Sequence, residues 1–549
     1  MAVDLQSGAM GTSPDVLRQI ATAVAAQDYE RARDLAEAEI SRGSVHPALY
    51  NARAMWLERQ QRDSEALNDY QRSKLLSPNN PLVLNAIGLC FMRLFRFKES
   101  IEVFDEAIRA NPLFMSSYCR KAEALSQSGD VDGALRAYER AASLDPHNAD
   151  ALAGIASIAA QRGDIDKAQK YATRAVSIAP MYPTAQAVLA QVDNERQDFA
   201  SAERRVRPFL DDARIVGGGR ASLFAVLGDA LDGLNRPAEA FDAYTAENME
   251  LLRSNSFRFG GGRKIVDLCE GMLAHYGQKP GELFAAESGG ASFEGGPSTH
   301  VFLLGFYRSG TTLLEQVLEA HPGIVTLEER EILAAPAERY LTSSAGLGQL
   351  DRLSGEALQN ARDDYWRTLF RQGLKLRGKV FVDKHPLNTI KLPLIAKLFP
   401  EAKILFALRD PRDVILSCYR RHFQVNVAMY ELLTLPGAAR CYDAVMRLAA
   451  LVRERPPLQF LECRYEEIVN DFEAAVRAVC AFIGVPYDAS MENFSSVVRS
   501  DAIRSPSALQ VKRGLYHEGV AQWRPYAAQL DIVAPLLDRW VDRFGYPAE

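Results

Sequence analysis

The 549-residue sequence has no excess of positive charge, because 70 aspartates and glutamates outnumber its 64 lysines and arginines. A net charge of -6 argues against a general nucleic-acid binder, which needs basic surface to displace counterions. No apolar run reaches membrane-spanning length, and the first residues lack the basic and apolar parts of a secretion signal. The sequence therefore predicts a cytoplasmic protein with no membrane span and no nucleic-acid partner.

Cysteine is also scarce. Its seven residues are odd in number, and none is spaced as Cys-x2-Cys. Neither a disulfide framework nor a structural zinc site fits this usage. We expect buried thiols and a protein that needs no metal.

The sequence contains, by contrast, a clear repeat with a period of 34 residues. Prolines follow this period at Pro78, Pro112, Pro146 and Pro180. Small residues recur in a first helix at Ala54, Gly88, Ala122, Ala156 and Ala190, and in a second helix at Ala32, Ala66, Ser100, Ala134, Ala168 and Ala202. Such a period predicts tetratricopeptide repeats, in which each repeat is a pair of closely packed helices.

Six frames of the repeat cover residues 13–216, and a seventh resumes after the glycine-rich segment 217–220, which should lengthen the preceding loop by four residues. Repeats stack into a solenoid with a concave face, because one hairpin cannot bury its apolar face alone. Such arrays hold a peptide or protein, or serve as dimerisation surfaces. Asn51 and Asn85 take equivalent positions in successive frames, and form either a short peptide-binding ladder or two solvated side chains.

The repeat pattern loosens between residues 251 and 299. Glycine-rich stretches at 260–262 and 287–297 are typical of a linker, and one helix is predicted between them at 263–276. The predicted domains are an array of about seven repeats at 13–254, a linker at 255–298 and a second domain at 299–549.

The second domain opens with an apolar strand, a turn containing two glycines and the start of a helix. Gly305 and Gly310 would let an anion approach the N–H groups and the positive dipole end of that helix. Their spacing matches a nucleotide-triphosphate loop, but Thr311 replaces its lysine, which argues against a kinase or an ATPase. Arg308 and two threonine hydroxyls suit a less charged ligand such as a phosphosulfate. The alternative is an ordinary glycine-rich turn.

A second unit of strand and helix carries a convergent polar set. Asp410 and Pro411 are suited to cap and begin the helix, and Arg409 leaves the end of the strand. Ser417 and Arg421 are four residues apart on one helix face, so both could meet Arg409 around a phosphate. A strand and helix with surface arginines is the alternative.

These two segments resemble the sulfotransferase family. The loop Tyr307-Arg308-Ser309-Gly310-Thr311-Thr312 is similar to the family's Pro-Arg-Ser-Gly-Thr-Thr loop for a 5′-phosphosulfate, with tyrosine in place of proline. Arg409, Ser417 and Arg421 match the family's residues for a 3′-phosphate. The resemblance covers the C-terminal half and implies that the donor is 3′-phosphoadenosine 5′-phosphosulfate (PAPS), held by Arg308, Ser309, Gly310, Thr311, Thr312, Arg409, Ser417 and Arg421.

The resemblance also implies catalytic roles. Glu329, 21 residues after Arg308, matches the general base of the tyrosylprotein sulfotransferases, which follows another glutamate. Lys384 matches the family lysine that stabilises charge as the phosphosulfate bond breaks. His385 is the rival base, because cytosolic small-molecule sulfotransferases place a histidine two residues beyond that lysine. Without the family, Glu328 and Glu329 read as a solvated acidic helix start.

The remaining matches are weaker. Tyr465 lies in a segment resembling the family's Arg-Tyr-Glu motif and either contacts the nucleotide or is a core aromatic. The tail resembles the closing segment of bacterial tetratricopeptide sulfotransferases, which makes Ser507 the predicted transition-state serine, with Ser505 as the alternative. Gln522 replaces the usual basic residue before tryptophan, so Lys512 or Arg513 is predicted to supply that phosphate charge.

Strands near residues 301, 380, 404 and 459 alternate with helices, which predicts a parallel sheet between two helical layers. The predicted fold is an α-helical tetratricopeptide solenoid followed by a three-layer α/β sulfotransferase domain. The resemblance implies sulfuryl transfer from PAPS to a hydroxyl, with a tyrosine of a peptide or protein held by the array as the first choice. A carbohydrate, lipid or small-metabolite acceptor, a nucleotide-binding adaptor without activity, and a homodimer are left open.

Overall fold

A computed structural model describes residues 12–278, 295–421, 425–455, 457–497, 515 and 519–548 of the protein. The chain divides into two compact units, Met1–Glu195 and Arg196–Glu549. The described part of the first unit is built from helices, whereas the second unit combines helices with a β-sheet.

The helices of the first unit follow one another in pairs. They are α1 (Pro14–Ala25), α2 (Tyr29–Ser41), α3 (Pro47–Arg59), α4 (Asp63–Leu76), α5 (Pro81–Arg93), α6 (Phe97–Ala110), α7 (Met115–Gln127), α8 (Val131–Leu144), α9 (Ala149–Gln161), α10 (Ile165–Ile178) and α11 (Pro183–Glu195). From α2 onward, the first helices begin at 47, 81, 115, 149 and 183, and the second helices begin at 29, 63, 97, 131 and 165. Each start is 34 residues after the last, which confirms the repeat frames.

Small residues lie where paired helices approach each other. Ala54, Ala122 and Ala156 are fully buried. A Cβ added at Gly88 would overlap the ring of Phe104 on the paired helix. The regular spacing of small side chains therefore sets the close contact within each hairpin.

The second unit begins with four further helices, α12 (Phe199–Leu210), α13 (Gly217–Gly233), α14 (Pro237–Phe259) and α15 (Ile265–Gly277). The expectation that segment 217–220 lengthens a loop is wrong, because these residues form the first turn of α13. The Gly217 N–H donates to the Glu250 carboxylate at 3.3 Å, which ties this turn to α14. Helix α14 itself continues past residue 254, where the sequence pattern ends the array.

Five parallel strands form the sheet of the second unit: β1 (Thr299–Gly305), β2 (Ile324–Glu328), β3 (Val380–Lys384), β4 (Lys403–Leu408) and β5 (Gln459–Arg464). Their spatial order is β2-β3-β1-β4-β5. The predicted parallel sheet is confirmed, and four of its strands were expected. The five-residue strand β2 was not, and the acidic pair that reads as a helix start when the family is left aside lies at the carboxyl end of this strand.

The sheet lies between helices. Those that follow β1 are α16 (Thr311–Glu319), α17 (Ala334–Leu341), α18 (Ser344–Arg352), α19 (Gly355–Arg371), α20 (Leu392–Leu398), α21 (Pro411–Arg420), α22 (Val427–Leu432), α23 (Leu435–Arg453), α24 (Tyr465–Asn470), α25 (Phe472–Ile483), α26 (Phe494–Val497), α27 (Ala527–Leu530) and α28 (Ala534–Arg543). Short 3₁₀ segments occupy Pro386–Lys391, Ala489–Asn493, Arg524–Tyr526 and Asp531–Val533.

Alternate residues of β1 reach opposite helical layers. Val301 belongs to a core with Leu314 of α16 and Val476 of α25. Its neighbour Phe302 lies in an aromatic cluster with Tyr365 of α19. The predicted three-layer arrangement is therefore confirmed, and the carboxyl ends of all five strands meet along one edge, where ligands bind in open α/β sheets.

Candidate active site

The segment between β1 and α16 makes a tight turn at this edge. Arg308 and Gly310 both adopt the left-handed backbone region, with φ values of 66° and 98°. Glycine is required at 310 by packing as well, because a Cβ there would lie 2.9 Å from the Tyr465 ring. The turn leads directly into the first residue of α16, Thr311.

Two hydroxyl groups fix the shape of this loop. Thr389 accepts a hydrogen bond from the Gly305 N–H at 3.0 Å, and its hydroxyl lies 2.6 Å from the Gly305 oxygen. Ser309 donates to the Phe306 carbonyl at 2.7 Å. The loop is thus held in one conformation by contacts beneath it.

The loop arginine meets the residues predicted to bind a 3′-phosphate. Arg308 Nε donates to Ser417 Oγ at 3.0 Å, and Arg409 Nη1 donates to the Arg308 oxygen at 3.2 Å. Arg409 also lies over the Tyr465 ring, 5.0 Å from its centroid, and its buried Nε has no hydrogen-bond partner among the described residues. Arg421, just after α21, lies 3.9 Å from Asp229.

Positive charge accumulates at this point. Burial, together with the neighbouring Arg421 and Arg409, lowers the pKa of Arg308 to about 9. A bound anion would offset both the desolvation and the mutual repulsion of these guanidinium groups. The arrangement therefore fits an anionic ligand at the loop.

On the other side of β1, a single buried lysine faces three carboxylates. Lys384 is fully buried, and its Nζ lies 2.8 Å from Glu315, 2.9 Å from Glu329 and 3.9 Å from Glu328. Glu315 is also buried, whereas Glu329 is the most exposed of the three. The Lys384 ammonium group therefore lies between a buried carboxylate, Glu315, and a partly exposed one, Glu329.

One ammonium group cannot balance three carboxylates. Burial raises the pKa of Glu315 to about 8, an effect that Lys384 opposes and the other two glutamates increase. Burial alone would lower the pKa of Lys384, but the surrounding carboxylates outweigh it and raise that pKa. Lys384 is accordingly charged at neutral pH, whereas burial favours the protonated form of Glu315.

The backbone holds Glu329 at an unusual angle. Its φ of 41° lies in the left-handed region, and its N–H donates to the Lys384 carbonyl at 2.8 Å, directly after the paired strands β2 and β3. A side chain fixed in this way, beside a cation and partly open to solvent, is suited to accept a proton from a bound hydroxyl group.

His385 has a different environment. Its Nε2 lies 2.9 Å from Glu331, which also contacts Lys391 Nζ at 2.6 Å. The hydrogen bond from His385, with the charges of His385 and Lys391, lowers the pKa of Glu331 to about 2. The imidazole is thus engaged by a carboxylate, whereas Glu329 contacts the lysine.

The structure brings most of the residues singled out in the sequence to two neighbouring places. Arg308, Ser309, Gly310, Thr311, Thr312, Arg409 and Ser417 lie at or beside the loop, and Glu329, Lys384 and His385 lie at the ends of β2 and β3. Tyr465 is buried in the core and packs against Gly310 and Arg409, so it supports the loop from below. Ser505, Ser507, Lys512 and Arg513 lie outside the described residues.

Three residues of this region escaped sequence reasoning: Glu315, Thr389 and Arg420. Glu315 follows Thr311 by four residues and so shares its helix face, which was the one available signal. Arg420 donates to Gln522 Oε1 at 2.6 Å. Its guanidinium group therefore lies beside the position where glutamine replaces the family's basic residue. Thr389 and Arg420 carry no local pattern that points to this site.

Two further expectations can be compared with the structure. All seven cysteines are free and buried, as expected. Within the described residues, no cluster of His, Cys, Asp or Glu could hold a metal ion, and no helix is long and apolar enough to cross a membrane.

Family models match parts of both halves of the chain. Residues 300–489 match a family model described as "Sulfotransferase family". Residues 82–112 and 125–192 match two models of the tetratricopeptide repeat. The second match region begins in α7 and ends in α11, where the 34-residue helix register is regular.

Three curated relatives each match less than half of the chain. A putative protein-tyrosine sulfotransferase of Caenorhabditis briggsae is 25% identical over 249 residues, which are 43% of this chain and 86% of that protein. The protein-tyrosine sulfotransferase A of Caenorhabditis elegans is 25% identical over 259 residues, or 44% and 67% of the two chains. An uncharacterised protein of Aquifex aeolicus is 26% identical over 263 residues, which span 45% of this chain and only 33% of that one.

Among solved structures, a tetratricopeptide repeat protein from Parabacteroides merdae matches with a TM-score of 0.36 and 14% identity, covering 43% of this chain and 92% of that chain.

Proposed function

Because the C-terminal half of the chain carries a sulfotransferase-family domain and the N-terminal half carries tetratricopeptide repeats, we propose that the protein transfers the sulfuryl group of PAPS to a hydroxyl group. The observation that carries this proposal is the pairing of Lys384 with Glu329 at 2.9 Å, next to the loop where Arg308 contacts Ser417. Such a site offers a proton acceptor, a buried cation and an anion-binding loop together.

The donor site is proposed at the cationic loop. Arg308, Ser309, Gly310, Thr311 and Thr312 hold the 5′-phosphosulfate, and Arg409, Ser417 and Arg421 hold the 3′-phosphate. The lowered pKa of Arg308 and the buried unpaired Nε of Arg409 support an anionic ligand here. Helix α16 contributes the N–H groups and the positive dipole end of its first turn.

The transfer step follows from the positions of two side chains. Glu329 takes the proton of the acceptor hydroxyl as its oxygen forms a bond to sulfur. The bond between sulfur and the bridging phosphate oxygen breaks, and its electron pair stays on that oxygen. Lys384 stabilises the charge that develops there, which lowers the barrier because the interaction strengthens in the transition state. Ser507 is proposed to assist as the transition-state serine.

Glu329 is preferred as the base over His385. The imidazole of His385 is 2.9 Å from the exposed carboxylate of Glu331, whereas Glu329 contacts Lys384, the proposed catalytic cation. Glu329 and Lys384 share one hydrogen bond. When the donor binds Lys384, this hydrogen bond breaks and Glu329 becomes free to accept a proton.

The acceptor is proposed to be a tyrosine of a peptide or protein held by the repeat array. Two of the relatives described above are named as protein-tyrosine sulfotransferases, and the array is of a type that binds peptides. A cytoplasmic location and a homodimer stay predictions.

The proposal is tested on the purified protein in two steps. Adenosine 3′,5′-bisphosphate should raise the thermal midpoint of the second unit far more than ATP, because only the bisphosphate places a phosphate at Arg409 and Ser417. Labelled PAPS should then transfer its sulfuryl group to members of a tyrosine-containing peptide library, detected as a mass gain. Equal stabilisation by the two nucleotides, or no transfer to peptides or a lysate-derived pool of small acceptors, would contradict the proposal.

A further inference from the structure

The hairpin formed by α13 and α14 packs against the end of α21. Phe241 of α14 stacks on Tyr419, with ring centroids 5.2 Å apart. The Tyr419 hydroxyl donates to Thr245 at 3.0 Å, and Asn248 Nδ2 donates to the Tyr419 carbonyl at 3.0 Å. Ring, hydroxyl and backbone of one residue in the last turn of α21 are therefore all held by the repeat-type hairpin.

A second set of contacts is ionic. Arg420, the last residue of α21, is buried, and its Nη1 lies 3.1 Å from Asp232 of α13. Its Nη2 donates to Gln522 at 2.6 Å, and Asp232 also accepts a hydrogen bond from the Tyr526 hydroxyl. A buried guanidinium without a carboxylate would be strongly destabilising, so Asp232 fixes Arg420 in place.

An apolar cluster extends the same contact. Ala221 of α13 and Leu251 of α14 are buried together with Leu433, which lies between α22 and α23. Within the second unit, the hairpin thus contacts the sheet-containing part both at the end of α21 and beyond it.

The anchored turn is part of the proposed donor site. Ser417 and Arg421, the proposed 3′-phosphate ligands, lie on either side of Tyr419 and Arg420. Arg420 and Arg421 are both close enough to Arg308 to depress its pKa. A shift of the last turn of α21 would therefore move Arg421 relative to the loop.

We infer that the hairpin α13–α14 is a working part of the donor site, and that Asp232 is a positioning residue that sets Arg420 and hence Arg421 for the 3′-phosphate. The inference rests on the proposed function, because it assumes that Arg421 meets a nucleotide phosphate. It assigns nucleotide affinity to a segment whose sequence pattern is that of a protein-binding repeat.

The sign of one substitution separates this role from simple electrostatics. Asp232→Asn removes a negative charge near a site for anions, so Coulombic repulsion alone would predict tighter nucleotide binding. A positioning role predicts weaker binding. We expect Asp232→Asn to lower the affinity for adenosine 3′,5′-bisphosphate roughly tenfold, or about 1.4 kcal/mol.

Calorimetry with two ligands gives the specific readout. Adenosine 5′-phosphosulfate lacks the 3′-phosphate, so its affinity should be unchanged by Asp232→Asn while that of the bisphosphate falls. Asp232→Glu should restore much of the bisphosphate affinity. Arg420→Gln should lower the affinity for the bisphosphate by a similar factor. The double variant Asp232→Asn/Arg420→Gln should bind it no more weakly than Arg420→Gln alone, because Asp232 acts through Arg420.

Asp242→Asn is the matched control, since Asp242 is an exposed residue of α14. It should change neither affinity. If Asp232→Asn does not fold, Tyr419→Phe, which keeps the ring stacked on Phe241 but loses the bond to Thr245, should give a smaller loss in the same direction.

Unchanged or tighter bisphosphate binding in Asp232→Asn, or a parallel loss for both ligands, would overturn the inference. Failure of the proposed function has a separate signature, because the unmodified protein would then gain no affinity from the 3′-phosphate at all.

Discussion

The helices of the first unit and the hairpin α13–α14 derive from the same repeat pattern but differ in length. The first helices from α3 to α11 are each 13 residues long, and the second helices of the first unit, from α2 to α10, have 13 or 14. In the later hairpin the two helices have 17 and 23 residues. Both extensions lie in the hairpin that contacts α21 and α22.

The difference shows where a repeat stops being an interchangeable module. A regular repeat contacts only its neighbours. Because no other contact constrains its length, the 34-residue period is kept. Residues of the long hairpin also contact residues about 170 to 190 positions later, such as Tyr419 and Arg420. The 34-residue pattern is therefore lost in the hairpin α13–α14, whose helices also pack against this later part of the chain.

The largest effect should come from cutting the chain on either side of this hairpin. The sequence pattern alone places the boundary near residue 298 and predicts that fragment 298–549 keeps donor binding. The structure predicts the reverse, because this fragment lacks Asp232 and Asn248 and leaves the buried Arg420 without its carboxylate. Fragment 298–549 should not bind adenosine 3′,5′-bisphosphate in calorimetry.

The matched fragment Arg196–Glu549 retains α12 to α14 and should bind the bisphosphate within roughly threefold of the full chain. Circular dichroism melting of both fragments separates lost folding from lost binding. Normal bisphosphate binding by fragment 298–549 would show that the hairpin is only an attached repeat.

The next largest effect should be local to the chemistry and independent of either helical region. Glu329→Gln is nearly isosteric but cannot take the acceptor proton, so single-turnover transfer should fall by roughly 10²- to 10⁴-fold. Bisphosphate affinity should barely change, because Glu329 faces the acceptor and not the nucleotide.

His385→Asn is the control for this substitution and should cost much less, since His385 contacts Glu331. A nearly active Glu329→Gln together with an inactive His385→Asn, both binding nucleotide normally, would transfer the role of base to the histidine.

A pair of glycine substitutions compares the two helical regions directly. A Cβ at Gly88 would overlap Phe104, and a Cβ at Gly228 would overlap Tyr244. Each alanine variant should destabilise its own unit by about 1–3 kcal/mol through overpacking. Only Gly228→Ala should also weaken bisphosphate binding, because Gly228 lies in the hairpin that holds α21. Equal nucleotide affinity in both variants would remove the distinction between the regions.

A further expected effect is a pH dependence of stability. The pKa of Glu315 is about 8 in the folded protein and about 4.5 in an unfolded chain. Between these values the folded state binds more protons, so the free energy of unfolding should decrease as pH rises, by at most about 1.4 kcal/mol per pH unit. Glu315→Gln should flatten this dependence between pH 6 and 8.5 in thermal melts.

Glu319→Gln, one turn further along α16 and exposed, provides the control and should leave the slope unchanged. An unchanged slope in Glu315→Gln would mean that Glu315 is ionised beside Lys384 throughout this range.

Much of the fold could be predicted because its signals are local. Proline and small residues repeat every 34 positions, and the helices begin in that register. Strand β2 was missed because Ile324–Glu328 is short and has no alternating pattern, so its acidic end reads equally as the start of a helix. Only its pairing with β3 identifies it as a strand.

The candidate site divides in the same way. The loop residues lie next to one another in sequence, and Ser417 and Arg421 share a helix face, so spacing alone could indicate them. Glu315 lies in a largely apolar helix, and the local sequence does not indicate its role. That role depends on contact with Lys384, which lies 69 positions later in the chain. The contact between Asp232 and Arg420 spans 188 positions, and no local pattern predicts such a pair.

The long hairpin also bears on how the chain is made. Asn248 leaves the ribosome 171 residues before its hydrogen-bond acceptor on Tyr419. At synthesis rates of about 5–20 residues per second, that interval lasts roughly 10 to 35 s. During this time Phe241 and Leu251 have not yet met Tyr419 and Leu433, whereas each earlier hairpin gains its neighbour within about two seconds to seven seconds of synthesis. Within the repeat-containing half, α13–α14 is therefore the segment with the greatest need for chaperone protection before the chain is complete.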